Sequence, residues 1–428
     1  MTDSQLSNLP LVSVCIPTYN GAEYLRETIE SVFSQSYKNL EIIISDDNSQ
    51  DKTIEISRKY QAISPVKFSI LEHEQYGIAG NWNFSIAKSN GKYIKFIFQD
   101  DLMYPECINQ MVHLAETDDK IGLVFSPREV FLAQGAENDR GCIQVHEYGQ
   151  DIHTFWSNLK QVQWGTELLC DPQFSKSPLN KVGEPSTVLI RKSVFDEIGL
   201  FDEELHQTLD MDMWFRIMCN YKLGFCDRKL VRFRVHPNQA SHKNLGLKNA
   251  IDNQMLRGKM LYSSQYKIND PEVEKVFRSG TQKLMESELK QLLDLVADLQ
   301  QQIPKTTHKK QEIHSLKKQL DKVEKFLEIE LNLTEGNNQE IQEKNKFEYE
   351  IIVKKAWCAY QNKDLHKTIS LLKNSSNVNT ELLPTELLLD WIDKFSSLSK
   401  IENSKISFDA YSLINDEEWI AFIKNHVY

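Results

Sequence analysis

With 428 residues, 40% of them hydrophobic and 26% charged, the chain is long enough for two or three domains and apolar enough for a real core. A formal net charge of −11 excludes the strongly basic balance of a nonspecific nucleic-acid binder, and no nucleic-acid partner is expected. Seven scattered cysteines without a CxxC pair read as thiols in a reducing compartment, neither a disulfide framework nor a zinc site. The polar opening MTDSQLSNLP has no basic stretch leading into an apolar run, and no segment approaches about 18 apolar residues. The expectation is a cytoplasmic protein without signal peptide or membrane span, any membrane contact being peripheral at the inner face.

Residues 11–16 (LVSVCI) form an apolar run ending at Pro17, the pattern of a buried strand. Residues 22–34 place Leu25, Ile29, Val32 and Phe33 on one helical face. A second buried strand is predicted at 40–45 (LEIIIS), followed at once by the polar stretch DDNSQDKT. A helix at 52–62, a strand at 66–71, a helix at 79–89 and a strand at 92–98 complete the series. Such alternation predicts an α/β fold, a mostly parallel sheet flanked by helices. Ligands of such sheets bind beyond the carboxyl ends of the strands. That rim here collects Pro17–Asn20, Asp46–Asp51 and Asp100–Asp101.

Beyond about residue 245 strand signals vanish and Lys, Glu, Gln and Leu dominate. Leu289, Leu292, Val296, Leu299 and Ile303 alternate by three and four; after Pro304, Ile313, Leu316, Leu320, Val323 and Leu327 repeat the spacing. The pattern fits an antiparallel helical hairpin and equally an arm for homo-oligomerisation. Domains are therefore expected at 1–245, then a helical, coiled-coil region at 246–333, a linker at 334–346 and a small helical domain at 347–428. One stretch of the last, 347–373, resembles a single tetratricopeptide unit, which alone is weak evidence.

Four polar clusters can carry chemistry, and each has a plain structural reading beside the functional one. Asp46-Asp47-Asn48-Ser49 suits acceptance of hydrogen bonds from a base or ribose, or a turn that caps the next helix. Gln99-Asp100-Asp101 suits a hard divalent cation, or a solvated acidic turn. Asp210 and Asp212, in LDMDMWFRI, begin a packed helix, where an acid is commonly a cap. His236, closing the strand-like LVRFRV, is either structural or a ligand.

Taken in order, VSVCIPTYNGAEYLRETIESVFSQSYKNLEIIISDDNSQDKT, GNWNFSIAKSNGKYIKFIFQDDLMYP, GEPSTVLIRKSVFDEIGLFDEEL, LDMDMWFRI and FRVHPNQAS resemble glycosyltransferase family 2 across about residues 11–242. The resemblance implies a GT-A fold and inverting transfer from a nucleoside-diphosphate sugar, with UDP the family's usual carrier, to a glycan or glycolipid acceptor in cell-surface polysaccharide or glycoconjugate synthesis. It further implies a nucleotide pocket lined by Pro17, Thr18 and Tyr19, with Asp46 and Asp47 at the nucleotide and Asp47 on the base. Asn83 lies on the helix that leads to the metal motif and counts with the nucleotide-sugar residues. Asp100 takes the place of the last acid of the D-x-D signature and would hold Mn²⁺ or Mg²⁺, with His236 completing the ligation. Asp210 would be the general base, and Glu184, Ser186 and Asp212 would meet the acceptor. Two positions depart from the family: Phe98 stands where the first acid of the signature falls, and Leu209 where many members carry Glu. Phe98 keeps an alternative open, a nucleotide-sugar-binding scaffold without transfer activity. A dinucleotide oxidoreductase is excluded by PTYNGAEY, which lacks G-x-G-x-x-G after the first strand.

Overall fold

The computed structural model describes residues 9–239 and 247–285. The heptad segment at 289–327, the linker at 334–346 and the region 347–428 lie outside the described residues.

An eight-stranded sheet organises the chain. Its order is β3 (Phe68–Glu72), β2 (Leu40–Asp46), β1 (Val12–Thr18), β4 (Tyr93–Phe96), β9 (Val188–Arg191), β6 (Ile121–Phe125), β10 (Lys222–Phe225), β8 (Val162–Trp164). The pairs β1–β2, β1–β4, β2–β3 and β6–β10 are parallel. Strand β9 runs antiparallel to both neighbours, and β8 antiparallel to β10. Strands β1 and β2 are buried along their whole length, as a parallel sheet covered on both faces requires, which is why both read as unbroken apolar runs. A second, three-stranded sheet sets β11 (Val231–Val235) between β5 (Leu102–Met103) and β7 (Arg128–Leu132).

The helices follow from periodicity. Helix α1 (Leu25–Phe33) buries Leu25, Ile29 and Val32, and α2 (Thr53–Ala62) and α3 (Gly77–Lys88) follow β2 and β3. The expected α/β sheet is thus present, with element bounds within two or three residues of those read from the sequence. Helices α4 (Cys107–Ala115), α5 (Arg140–Tyr148), α6 (Gly165–Leu169), α7 (Ser193–Ile198) and α8 (Leu209–Asn220) complete the portion up to residue 239. Among the described residues no helix is long and apolar enough to cross a membrane.

Helix α9 (Leu247–Tyr262) and the helical stretch at 271–285 belong to the same compact unit as the sheet. Asp252 of α9 accepts from the backbone N–H groups of His206 (2.6 Å) and Gln207, and Lys259 pairs with Asp202. Farther on, Tyr266 donates to Asp212 Oδ1 at 2.6 Å, and Phe277 packs 5.9 Å from Phe174. Asp212 also receives Arg216 Nε (2.9 Å) and Nη2 (2.6 Å), the pair only 1% exposed on either side.

Removing one member of such a buried ion pair leaves its partner uncompensated. Asp212→Ala is expected to cost about 3–5 kcal/mol, read as a lowered urea midpoint, and an unchanged midpoint would show that the pair adds nothing.

Candidate active site

Thr18, the last residue of β1, lies in register with Asp46 of β2, and its hydroxyl donates to Asp46 Oδ2 at 2.7 Å. Asp46 also receives Ser49 N (2.8 Å) and Ser49 Oγ (2.7 Å), closing a turn in which Asn48 takes the left-handed conformation at φ 68°. Asp47 reaches the other way. Its carboxylate accepts from Tyr76 N at 2.6 Å and Gly77 N at 3.1 Å, with His73 Nδ1 3.6 Å away. The exposed Tyr76 ring is stacked on His73, centroids 4.4 Å apart and planes 7° from parallel. Tyr19 is exposed as well, its backbone clasped on both sides by the Gln99 amide at 2.9 and 3.1 Å. Pro17 is part of buried β1.

The segment after β4 brings together the two expected metal ligands. Asp100 Oδ2 and His236 Nε2, 136 residues apart in sequence, meet at 3.0 Å. His236 follows β11 directly, and its Nδ1 is buried without a hydrogen-bond partner among the described residues. Behind them Asp101 is fully buried. It accepts from Ser186 Oγ (2.6 Å) and from Arg234 N (3.1 Å), while Arg234 Nε donates to the Asp100 carbonyl at 2.8 Å. Burial, reinforced by the Asp100 charge, pushes the Asp101 carboxyl well above the ordinary range. Phe98 packs its ring 5.0 Å from Trp82.

Asp210 lies in the first turn of α8. It receives the Asn180 amide at 2.9 Å and Met211 N at 2.7 Å. Asn180 in turn brackets Gly183, accepting from its N–H at 2.9 Å and donating to its carbonyl at 3.2 Å. Gly183 has φ +109°, and a Cβ there would sit 2.6 Å from Thr187 Oγ1, so only glycine fits this turn. Although Asp210 keeps some solvent contact, burial of its carboxyl pushes the pKa up to about 7. The negative charge of Glu184 adds to that rise, and the Met211 and Asn180 hydrogen bonds oppose it. Glu184 itself faces Arg128, with Oε2 to Nε at 3.0 Å.

Not every residue singled out in the sequence reaches the rim. Asn83 spends both ends of its amide on the backbone of Phe201, at 2.9 and 3.0 Å, and so fastens α3 to the loop before α8. Ser186 is buried between Asp101 and Phe98 N (3.0 Å). Asp212, expected at the acceptor, is enclosed instead by Arg216 and Tyr266, because α8 turns that side chain away from Asp210 and into the core.

A family model described as glycosyl transferase family 2 matches residues 13–199. An uncharacterized glycosyltransferase of Rickettsia typhi is 32% identical over 238 residues, 55% of this chain and 67% of that protein. One of Haemophilus influenzae is 27% identical over 241 residues, 55% of this chain and 69% of that protein. Among solved structures, that of S. aureus TarS 1-349 in complex with UDP-GlcNAc aligns with a TM-score of 0.49 at 15% identity, covering 68% of this chain and 81% of that one. The chain belongs to glycosyltransferase family 2.

In this glycosyltransferase Arg128, Asn180 and the His73–Tyr76 stack join the site only in the folded chain. Arg128 had a signal: it follows the apolar run IGLVF, which is β6, and so occupies another strand end. Asn180 and His73 had none, since Asn180 meets Asp210 across 30 residues and His73 meets the Ser45 hydroxyl across 28.

Because Glu184 helps hold the Asp210 carboxyl protonated, Glu184→Gln is expected to move its titration below 7. The raised pKa favours folding most below the unfolded value near 4, and that stabilisation is lost as pH rises through about 7. Carboxyl-carbon NMR titration of both proteins checks the shift, and an Asp210 resonance titrating near 4 in the wild type would refute the assignment.

Proposed function

We propose that this glycosyltransferase moves a sugar from a nucleoside-diphosphate donor to a glycan or glycolipid hydroxyl with inversion at the anomeric carbon. The observation that carries the proposal is the meeting of Asp100 and His236 on the rim where β1, β2 and β4 end, in a chain of family 2. The donor implied by the resemblance carries UDP. Tyr19 and Asp47 would receive its base and ribose. An ionised carboxylate has room for more than the two backbone bonds that Asp47 now accepts.

The donor set at Asp100 and His236 suits Mn²⁺ or Mg²⁺, one carboxylate oxygen and one imidazole nitrogen, with other positions left to substrate phosphates. Among the described residues no group of three or more His, Cys, Asp or Glu side chains could hold a metal alone, so diphosphate oxygens would be needed to complete the shell. Bound there, the cation would offset charge on the departing diphosphate.

Asp210 is the base in this reading. The acceptor oxygen attacks the anomeric carbon on the face opposite the diphosphate, forming the new C–O bond as the old one breaks. The electron pair of the broken bond leaves with the diphosphate, and the hydroxyl proton passes to the Asp210 carboxylate. A pKa of about 7 suits a base that must take a proton near neutrality.

Calorimetric titration with UDP, dTDP and GDP, each with Mn²⁺ and with EDTA, is expected to show one nucleotide bound in a metal-dependent manner. Asp100→Ala is expected to lose the metal-dependent part. Binding of no nucleotide by folded protein would refute the donor site. Asp210→Asn is expected to keep nucleotide binding and to lower transfer at least about 100-fold. Wild-type transfer is expected to fall with pH below about 7, as the base becomes protonated. A wild-type rate in Asp210→Asn, or a flat pH profile from 5 to 8, would refute the base assignment.

A further inference from the structure

The transfer chemistry above makes no use of the buried Arg128. Arg128 opens β7 three residues after β6 ends, which carries it onto the rim beside Glu184. The residue is 5% exposed and its guanidinium lies 5.4 Å from the Phe233 ring centre. Its contact with Glu184 is an ion pair at 3.0 Å in which the N–H is not aligned on the oxygen. Neither Arg128 Nε nor Glu184 Oε2 therefore has a hydrogen-bond partner among the described residues. Ser126 Oγ, two residues away, is likewise buried and unpartnered. Ser126 N donates to Thr187 O at 3.2 Å, and Thr187 ends the short 3₁₀ turn that Glu184 precedes, so the three groups share one corner.

Buried polar atoms are nearly always hydrogen-bonded, and one left unmade costs about 1–3 kcal/mol. This fold can satisfy a buried arginine when the role is structural: Arg216, 1% exposed, donates to Asp212 and to the carbonyls of Ile198 (2.8 Å) and Leu200 (2.9 Å). Arg128 differs. Its donors stand beside acceptor oxygens of Glu184, and Glu184 acts electrostatically on Asp210.

We propose that Arg128, Glu184 and Ser126 form a clamp for two adjacent hydroxyls of a neutral sugar ring. The planar guanidinium donates to the hydroxyl oxygens, and the hydroxyls donate to Glu184 and Ser126. The Arg128–Glu184 pair is balanced in charge, so a carboxylate or phosphate at this position meets the repulsion of Glu184 without a cation to spare. The inference rests on the proposed transfer reaction, which brings two sugars to this rim. The ring is either the sugar being transferred or the acceptor ring beside its reacting hydroxyl.

The test uses the full chain and the variant Arg128→Gln, with thermal unfolding to establish that the variant is folded. The first arm compares calorimetric affinities for UDP with those for UDP-glucose, UDP-galactose and UDP-N-acetylglucosamine. The second follows methyl glycosides of the same three sugars, and methyl glucuronide, by saturation-transfer NMR without nucleotide. A sugar that adds affinity over UDP in the wild type, and loses about tenfold or more of it in the variant while UDP is unchanged, assigns the clamp to the donor sugar. A preserved sugar increment with loss of the methyl glycoside signal assigns it to the acceptor. Loss of the glycoside signal in a protein that binds no nucleotide sustains the clamp and sinks the donor reading instead. Unchanged affinities in both arms, wild-type protein that binds none of the probes, or preference for methyl glucuronide would overturn the proposal. Should Arg128→Gln not fold, Glu184→Gln, which keeps the arginine, carries the same comparison.

Discussion

The carboxylate of Asp101, wholly withdrawn from water, ties together the pieces on which the site depends. One oxygen receives Ser186 across 85 residues of sequence and the other receives the backbone of Arg234 across 133. Thr28 of α1 adds a hydrogen bond to the Asp101 carbonyl at 3.0 Å. Each partner belongs to a different element. Ser186 lies in the turn that presents Glu184, and Arg234 stands two residues before His236. A change at Asp101 would leave buried donors without acceptors at two places, each costing about 1–3 kcal/mol. The close approach of Asp100 and His236 is therefore a property of this junction as much as of the two residues themselves.

The same rim gathers several carboxylates, and their surroundings separate them. Asp100 has an imidazole at 3.0 Å, and Glu184 has the Arg128 guanidinium at the same distance. Arg234 bridges from the Asp100 carbonyl to Glu27 at 2.7 Å. Among the described residues Asp210 is held by neutral donors, the Asn180 amide and the Met211 N–H, with the Glu184 charge nearby. Carboxyl groups placed in environments that differ this way divide between binding charge and accepting protons. The division follows from which neighbours are cationic, and it would persist whatever sugar is carried.

The parts of this arrangement that a sequence can announce are those set by local pattern. Strands β1, β2 and β4 were legible because central parallel strands are continuous apolar runs, and their polar punctuation marks the rim. Helix α1 was legible from Leu25, Ile29 and Val32 on one face. The reversed strand β9 and the small sheet built on β11 depend on pairing over long separations, which leaves no periodic trace. Neighbouring residues can also part company: Asp46 closes a turn on Ser49 while Asp47 reaches to Tyr76, and both readings were open for the pair. Asp212 looked like a companion of Asp210, but its fate was decided by Tyr266, 54 residues on. The change of composition near residue 245 was plain, while the contacts of Asp252 and Lys259 with the 202–208 segment were not, since charged residues on a helix are ordinarily solvated.

Phe98 shows how one departure from a family pattern propagates. At the position where the signature carries its first acid, the ring lies against Trp82, which also packs 5.1 Å from Phe201. Phe201 in turn lies 6.3 Å from Trp214 of α8. An aromatic path thus runs from the segment bearing Asp100 to the helix that bears Asp210. It packs the Asp210 side of the rim, and at the proposed metal site Phe98 supplies no oxygen ligand. A cation held by one carboxylate and one imidazole has most of its coordination open to water and phosphate oxygens, so its affinity must come largely from the nucleotide it accompanies. In the proposed reaction metal and donor are then expected to bind as one unit, at Asp100 and His236.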